Sequence, residues 1–344
     1  MNTSRFKKGY AVVSTAPCNV SFQQVELPIP TADDVVVRVT HSWISNGTEG
    51  SCVRGERIGG DTARREDDPL PFPFVPGYQK VGVVEWIGET VRHVSVGDSV
   101  FATVSRVENM YFDAGGHVSP AVQDKSQVWK LPAGLDPVAA SGLVLTQVGY
   151  NVGTCAAVVP GDRVVVLGDG MVGQWAAQTF QHRGAQVLIA GRHDERLGLF
   201  KKRSGDKSLN TRNVSLVDAV REWATGSIKV VADTAGSMDS LVSILPFMRH
   251  RGHIVSAGFY GTNGMIDIQT LRDRELTLHA PSGWSKQRMD ETLALLAAGH
   301  LDTLSLITHR FPVSKAEEAF NLILNRRQNV LGVILDWEDS GDQQ

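Results

Sequence analysis

The chain reads as an α/β protein, with a β-rich first part followed by a doubly wound parallel sheet. Three observations predict this. A glycine motif, Gly168-Asp169-Gly170-Met171-Val172-Gly173, stands between an apolar strand and a helical segment. Beyond it strand and helix patterns alternate. Ahead of it lie short strands punctuated by glycine and proline.

The motif gains its meaning from its flanks. Arg163-Val164-Val165-Val166-Leu167 is a short apolar block of the kind buried on both faces of a parallel sheet. Gln174 to Phe180 has helical composition, with no breaker until Gly184, and Gln186-Val187-Leu188-Ile189-Ala190 supplies a second strand. Strand, glycines, helix and strand in register form a dinucleotide-binding βαβ unit. Its glycines, Gly168, Gly170 and Gly173, serve a tight turn, close backbone approach to pyrophosphate and close helix–strand packing. Met171 and Val172 open the helix whose N-terminus faces the phosphates.

NAD-binding versions carry an acid at the end of the second strand, where it accepts hydrogen bonds from the ribose. Here that place holds Gly191, followed by Arg192, His193 and Arg196. A glycine leaves room for a 2′-phosphate and a guanidinium can grip it, so the expected cofactor is NADP(H). The competing reading makes Arg192 a solvated loop residue and gives the ribose to Asp194 or Glu195.

Further strands are expected at Lys229–Asp233, Gly252–Gly258 and Leu276–His279, with a helix over Met289–Ala298. Ala235, Ala257, Gly258 and Phe259 stand at strand ends, where such sheets bind ligands, and are expected to flank the nicotinamide half. In the first part Val35–Val39, Val81–Gly88 and Asp98–Ala102 read as strands of a compact barrel or twisted sandwich. The charged stretch from Arg54 to Pro71 has no apolar periodicity. It reads as a mobile surface loop with solvated charges, or as a lid. The apolar run Val333-Ile334-Leu335 returns the tail to the first domain.

The bulk numbers describe an ordinary soluble protein. The 344 residues allow two domains, 42% are hydrophobic and 21% charged, and the net charge is −3. No nucleic acid or membrane partner is implied, no run reaches transmembrane length, and no signal-peptide pattern opens the chain. Cys18, Cys52 and Cys155 are too few for a disulfide framework, which fits a cytoplasmic location.

A β-rich domain ahead of such a sheet, with Pro76-Gly77 and Pro160-Gly161-Asp162-Arg163 where they stand, resembles the medium-chain dehydrogenase/reductase superfamily. The resemblance implies a GroES-like catalytic domain over 1–148, completed by 300–344, and a Rossmann domain over 149–299. It also implies a small-molecule substrate and a homodimer or homotetramer. Zinc members carry a cysteine where this chain has Ser45-Asn46-Gly47-Thr48-Glu49, and Gly-His-Glu where it has Gly77-Tyr78-Gln79. The third ligand position falls near Val144, and no four-cysteine lobe lies between Phe101 and Pro132. Serine, tyrosine and glutamine do not assemble a zinc site, so no metal is expected. Ile44 to Glu49 with Val75-Pro76-Gly77-Tyr78 looks like a narrower zinc-free branch that includes bacteriochlorophyllide dehydrogenase, although Gln79 departs from the glutamate expected there.

Without zinc, a hydrogen-bond donor must stabilise the developing alkoxide. Tyr78 is the first candidate, with Ser45 and Thr48 orienting substrate or relaying its proton and Glu49 as terminal base. The structural alternatives are a tyrosine satisfied by backbone, hydroxyls holding a turn around Gly47, and Glu49 paired with Arg54. His41 and His117 are lesser candidates. The expected activity interconverts a secondary alcohol and a ketone on a ring, cyclitol or sugar-like intermediate. Reduction of an activated C=C bond and non-catalytic NADPH binding are the alternatives.

Overall fold

The computed structural model describes residues 3–60, 62–224, 227–325 and 329–338. They form two compact units, one of residues 1–144 with 307–344 and the other of residues 145–306. The termini and Asp61, on which parts of the domain and loop expectations fall, lie outside the described residues.

The second unit is built on a six-stranded parallel sheet. Its spatial order is Lys207–Asn210, Gln186–Gly191, Arg163–Leu167, Ile228–Asp233, Met248–Ser256 and Thr277–His279. The chain thus starts in the middle, winds one way and then the other, leaving a switch point between Arg163–Leu167 and Ile228–Asp233. The apolar block at 163–167 explains why that strand is central. Val164 and Val166 enter one core with Ala176, Phe180 and Val187, while Val165 and Leu167 enter the opposite one with Leu188, Val231 and Leu241. A period of two with both faces apolar requires a layer on each side. Each such buried side chain contributes about 1.5–3 kcal/mol. The helix Met171–His182 covers the first face with Ala176, Ala177 and Phe180, all fully buried. It can approach the strand because a Cβ at Gly173 would run into the Gly168 carbonyl oxygen.

The first unit is mainly antiparallel. Its larger sheet runs Val128–Lys130, Ser99–Ala102, Lys80–Ile87, Asp34–Ile44, Gly332–Asp336, Ile307–Pro312, and Ala121–Asp124 also pairs with Asp34–Ile44. Lys8–Ala16 and Asn19–Glu26 form a hairpin in a separate sheet. The core gathers Val35, Val37, Val39, Val84 and Val100 with Phe320, Val333 and Leu335 from the tail.

The 54–71 stretch departs from the expected loop of solvated charges. It holds a small hairpin, Arg57–Gly59 with Thr62–Ala63, and Arg57 is turned inward. The Arg57 guanidinium donates to Ser51 Oγ and to the Gly60 carbonyl, and Arg64 donates to the carbonyls of Gly55 and Asp68. Arginine forks satisfy backbone acceptors here, a use that composition does not reveal.

Lys80 is another inward charge. Its amine is fully buried and donates to the Thr103 carbonyl at 2.6 Å, and burial pulls its pKa down to about 7. Because the folded value lies below the unfolded one, the unfolded chain binds the extra proton between about pH 7 and pH 10.5. Stability therefore rises with pH across that window and is flat below it as far as this group is concerned. Lys80→Met should be more stable than the parent by about 1–4 kcal/mol at pH 7. The gap should narrow near pH 10, as read from urea unfolding at both values.

Candidate active site

Two constellations gather the candidate residues, one in each unit. In the first unit the strand Asp34–Ile44 ends in the turn 45–47 and the helix Thr48–Val53 begins at once. Glu49 sits in the first helical turn and reaches back, with Oε1 accepting the Ser45 N–H at 2.8 Å. Its Oε2 lies 2.8 Å from His117 Nε2. His117 Nδ1 lies 2.8 Å from Ser42 Oγ, which accepts the Trp337 indole N–H at 2.9 Å. A carboxylate can only accept, so His117 Nε2 carries the proton that goes to Glu49, while Nδ1 shares a hydrogen bond with the Ser42 hydroxyl. Glu49 and His117 are both buried. The imidazole packs against Gly77, where φ is +90° and an added Cβ would come within 2.8 Å of the ring. Glycine is needed there for both backbone and space.

Tyr78 follows that glycine. Hydrogen bonds from Ser45 and Thr48 reach its oxygen. Burial pushes its pKa well above the ordinary value and the Glu49 charge adds to this, against those two hydrogen bonds and the Arg57 charge. The phenol therefore stays protonated across the neutral range. Tyr78 and Thr48 are half-buried, whereas Ser45 is buried. The structure thus brings Tyr78, Ser45, Thr48 and Glu49 together.

One expectation about this cluster changes. Glu49 does not pair with Arg54, which bonds Glu56 at 2.7 Å. Each Glu49 oxygen has its own partner instead, the Ser45 N–H and the His117 ring. His117, a lesser candidate in the sequence, is the residue that holds it. His41 stands apart, 3.5 Å from Asp336. Gln79 is buried and donates to the Trp43 carbonyl, a structural bond. Among the described residues no group of three or more His, Cys, Asp or Glu converges. The hydroxyls and amide at 45, 78 and 79 lack the thiolate, imidazole and carboxylate donors that zinc requires, so the site does not fit that metal.

In the second unit the glycine loop 168–170 crosses the switch point. Gly168 has φ +119°, and its Cβ would meet Thr234. Nothing lies within 4 Å of a Cβ built on Gly170, which is the helix cap and makes no side-chain cap bond. An open glycine in front of the first-turn N–H groups of a 12-residue helix, Met171, Val172 and Gly173 among them, fits a pyrophosphate.

Ala235, Ala257, Gly258 and Phe259 do stand together. Asp233, fully buried at its strand end, accepts the N–H groups of Ala235, Gly236 and Ser237 and the Tyr260 hydroxyl. Ala257 and Gly258 donate to the Asp233 carbonyl. The sequence offered Asp233 only as the last residue of a strand. Its anchoring role depends on loops more than twenty residues apart.

The turn after the second strand departs most from expectation. The space beside Gly191 is not open, because a Cβ there would run into the Asp169 carboxyl. Asp169 Oδ2 accepts the N–H of Arg192 at 2.7 Å and of His193 at 2.9 Å. His193 Nδ1 lies 3.0 Å from the same oxygen, and Arg196 is 3.6 Å from Oδ1. Arg192 extends an exposed side chain, and Asp194 and Glu195 are exposed in the next helical turn.

The buried pair in the first unit yields a stability test. Glu49→Ala would strand the Ser45 N–H and the imidazole N–H, and should cost about 2–5 kcal/mol in urea unfolding. Glu49→Gln, which keeps an acceptor, should cost distinctly less.

A family described as zinc-binding dehydrogenase matches residues 172–298. An L-threonine 3-dehydrogenase of Saccharopolyspora erythraea is 26% identical, over 95% of this chain and 98% of its own. The 2-desacetyl-2-hydroxyethyl bacteriochlorophyllide A dehydrogenase of Cereibacter sphaeroides is 24% identical over the same shares. Among solved structures, an Escherichia coli oxidoreductase/dehydrogenase of unknown specificity has a TM-score of 0.84 at 19% identity, covering 96% of this chain and 99% of that one. An alcohol dehydrogenase of E. coli CFT073 complexed with NADH has 0.82 at 22%, covering 96% and 100%. A Sinorhizobium meliloti dehydrogenase bound to NADP has 0.81 at 19%, covering 96% and 99%. The likeness to these dehydrogenases runs through nearly the whole length of the chain, and the solved structures share its two-unit fold.

Proposed function

We propose that this protein is a zinc-independent, nicotinamide-dinucleotide-dependent oxidoreductase that interconverts a secondary alcohol and a ketone. The observation that carries the reading is the Tyr78 hydroxyl, bracketed by Ser45 and Thr48 where zinc members place ligands. Every relative described above with a stated activity is a dehydrogenase by name. Other similar proteins, a 2-dehydro-3-deoxy-L-galactonate 5-dehydrogenase and a galactitol-1-phosphate dehydrogenase, support a polyol or sugar-like substrate. A homodimer or homotetramer belongs to the same proposal.

The dinucleotide supplies or accepts the hydride when bound. Gly168, Gly170 and the first turn from Met171 to Gly173 hold its phosphates, and the 235 and 257–259 loops, braced by Asp233, line the nicotinamide end. Tyr78 donates a proton to the substrate oxygen as negative charge develops on it. Its raised pKa keeps the phenol protonated at neutral pH, the form that can donate. Ser45 and Thr48 support the phenolate oxygen after transfer, and solvent returns a proton to the half-buried Tyr78 to complete the cycle. Glu49, locked between His117 and the Ser45 N–H, positions the turn that carries both hydroxyls. NADP(H), favoured in the sequence, keeps the support of Arg192 but loses the open space beside Gly191.

Tyr78→Phe should lower kcat for carbonyl reduction about 10²–10³-fold and leave the dinucleotide Kd unchanged. An unchanged kcat would remove Tyr78 from the chemistry. The reaction class is tested with deuteride-labelled reduced nucleotide, the protein and a metabolite extract, read by mass spectrometry. Deuterium on a carbinol carbon is the expected result. Deuterium beside a carbonyl-conjugated carbon would make this a C=C reductase, and none anywhere would make it a binding protein.

A further inference from the structure

We propose that Asp169, inside the glycine loop, sets the choice of nucleotide and makes NAD(H) the preferred form. The inference rests on reading that loop as a dinucleotide site. The carboxylate is 8% exposed and stands at the carboxyl end of the Gln186–Gly191 strand, although it comes from the neighbouring strand's loop. That end is where an open α/β sheet reads the adenosine ribose, and an acid there accepts the ribose hydroxyls. Gly191 and Asp169 therefore form a matched pair. The missing side chain at 191 leaves just the volume that the carboxylate from 169 fills. An acid absent from the strand end in the sequence is restored in space from 22 residues upstream.

The hydrogen-bond pattern says what this carboxylate can do. Oδ2 is saturated by two backbone N–H groups and the His193 ring. Oδ1 has only longer partners, His193 Nδ1 at 3.2 Å and Arg196 at 3.6 Å. A carboxylate offers about four acceptor positions, so Oδ1 keeps capacity for an incoming O–H. A 2′-phosphate meets the opposite situation. The Arg192 and His193 N–H groups, the backbone donors it would use at this turn, already serve an internal anion. It would also sit against a buried like charge, and like charges at short range are strongly unfavourable away from bulk water. Arg196 is held by that same anion, which leaves Arg192 as a solvated point of attraction too weak to reverse the balance.

The test measures binding, not turnover. NADH and NADPH dissociation constants are determined by calorimetry for the full-length parent, Asp169→Ser and Asp169→Asn. Asp169→Asn keeps an acceptor for the two backbone N–H groups, and so guards against loss of the turn. The parent should bind NADH at least ten-fold more tightly than NADPH. Both variants should bind NADH more weakly and NADPH more tightly, shifting the ratio at least twenty-fold toward NADPH. Tighter NADPH binding by the parent, or a greater loss for NADPH than for NADH in Asp169→Asn, would overturn the proposal. In that case the carboxylate holds the turn in shape for a phosphate. Absence of binding of either nucleotide to the folded parent would instead defeat the dinucleotide reading itself, and this proposal with it.

Discussion

Backbone N–H groups at the ends of buried strands must find acceptors, because leaving one unpaired costs about 1–3 kcal/mol. In this chain carboxylates supply them at every place where chemistry is expected. Glu49 takes the N–H of Ser45, Asp169 those of Arg192 and His193, and Asp233 those of Ala235, Gly236 and Ser237. Each carboxylate also binds a titratable or hydroxylic side chain: His117, His193 or Tyr260. The three turns thus owe their shape to buried charge, and the side chains they present inherit that shape.

The same arrangement keeps the candidate site in the first unit ordered through protein groups. Here the Glu49–His117 pair connects the 45–49 turn with the 77–78 loop, and the Ser42–Trp337 bond extends the connection into the tail. Such a buried charged network specifies one arrangement at the expense of some stability.

How far the sequence could be read follows from the range of each interaction. The central strand at 163–167, the glycine loop and the helix behind it were visible because their signals are local: a valine run, glycine spacing, helical composition. Tyr78, Ser45 and Thr48 could be grouped because the turn and the loop each carry a recognisable pattern. Asp169 could not be placed beside Gly191, since nothing in either segment marks the other. His117 lies 68 residues from Glu49, and only the antiparallel sheet brings them together. Arg57 falls in a stretch that reads as solvated charges, and nothing in the sequence singles out Lys80, because burial of a charge leaves no trace in composition.

The tail strand Gly332–Asp336 pairs directly with Asp34–Ile44, the strand that leads into the Ser45 turn. A ribosome must therefore make nearly the whole chain before that sheet can close, whereas the parallel sheet of residues 163–279 is complete much earlier. During synthesis the second unit has all its strands while the first still waits for its own. His41 to Ile44, the stretch of that strand that pairs with the tail, are then the residues most in need of protection, and Trp337 follows to fix the hydroxyl beside His117.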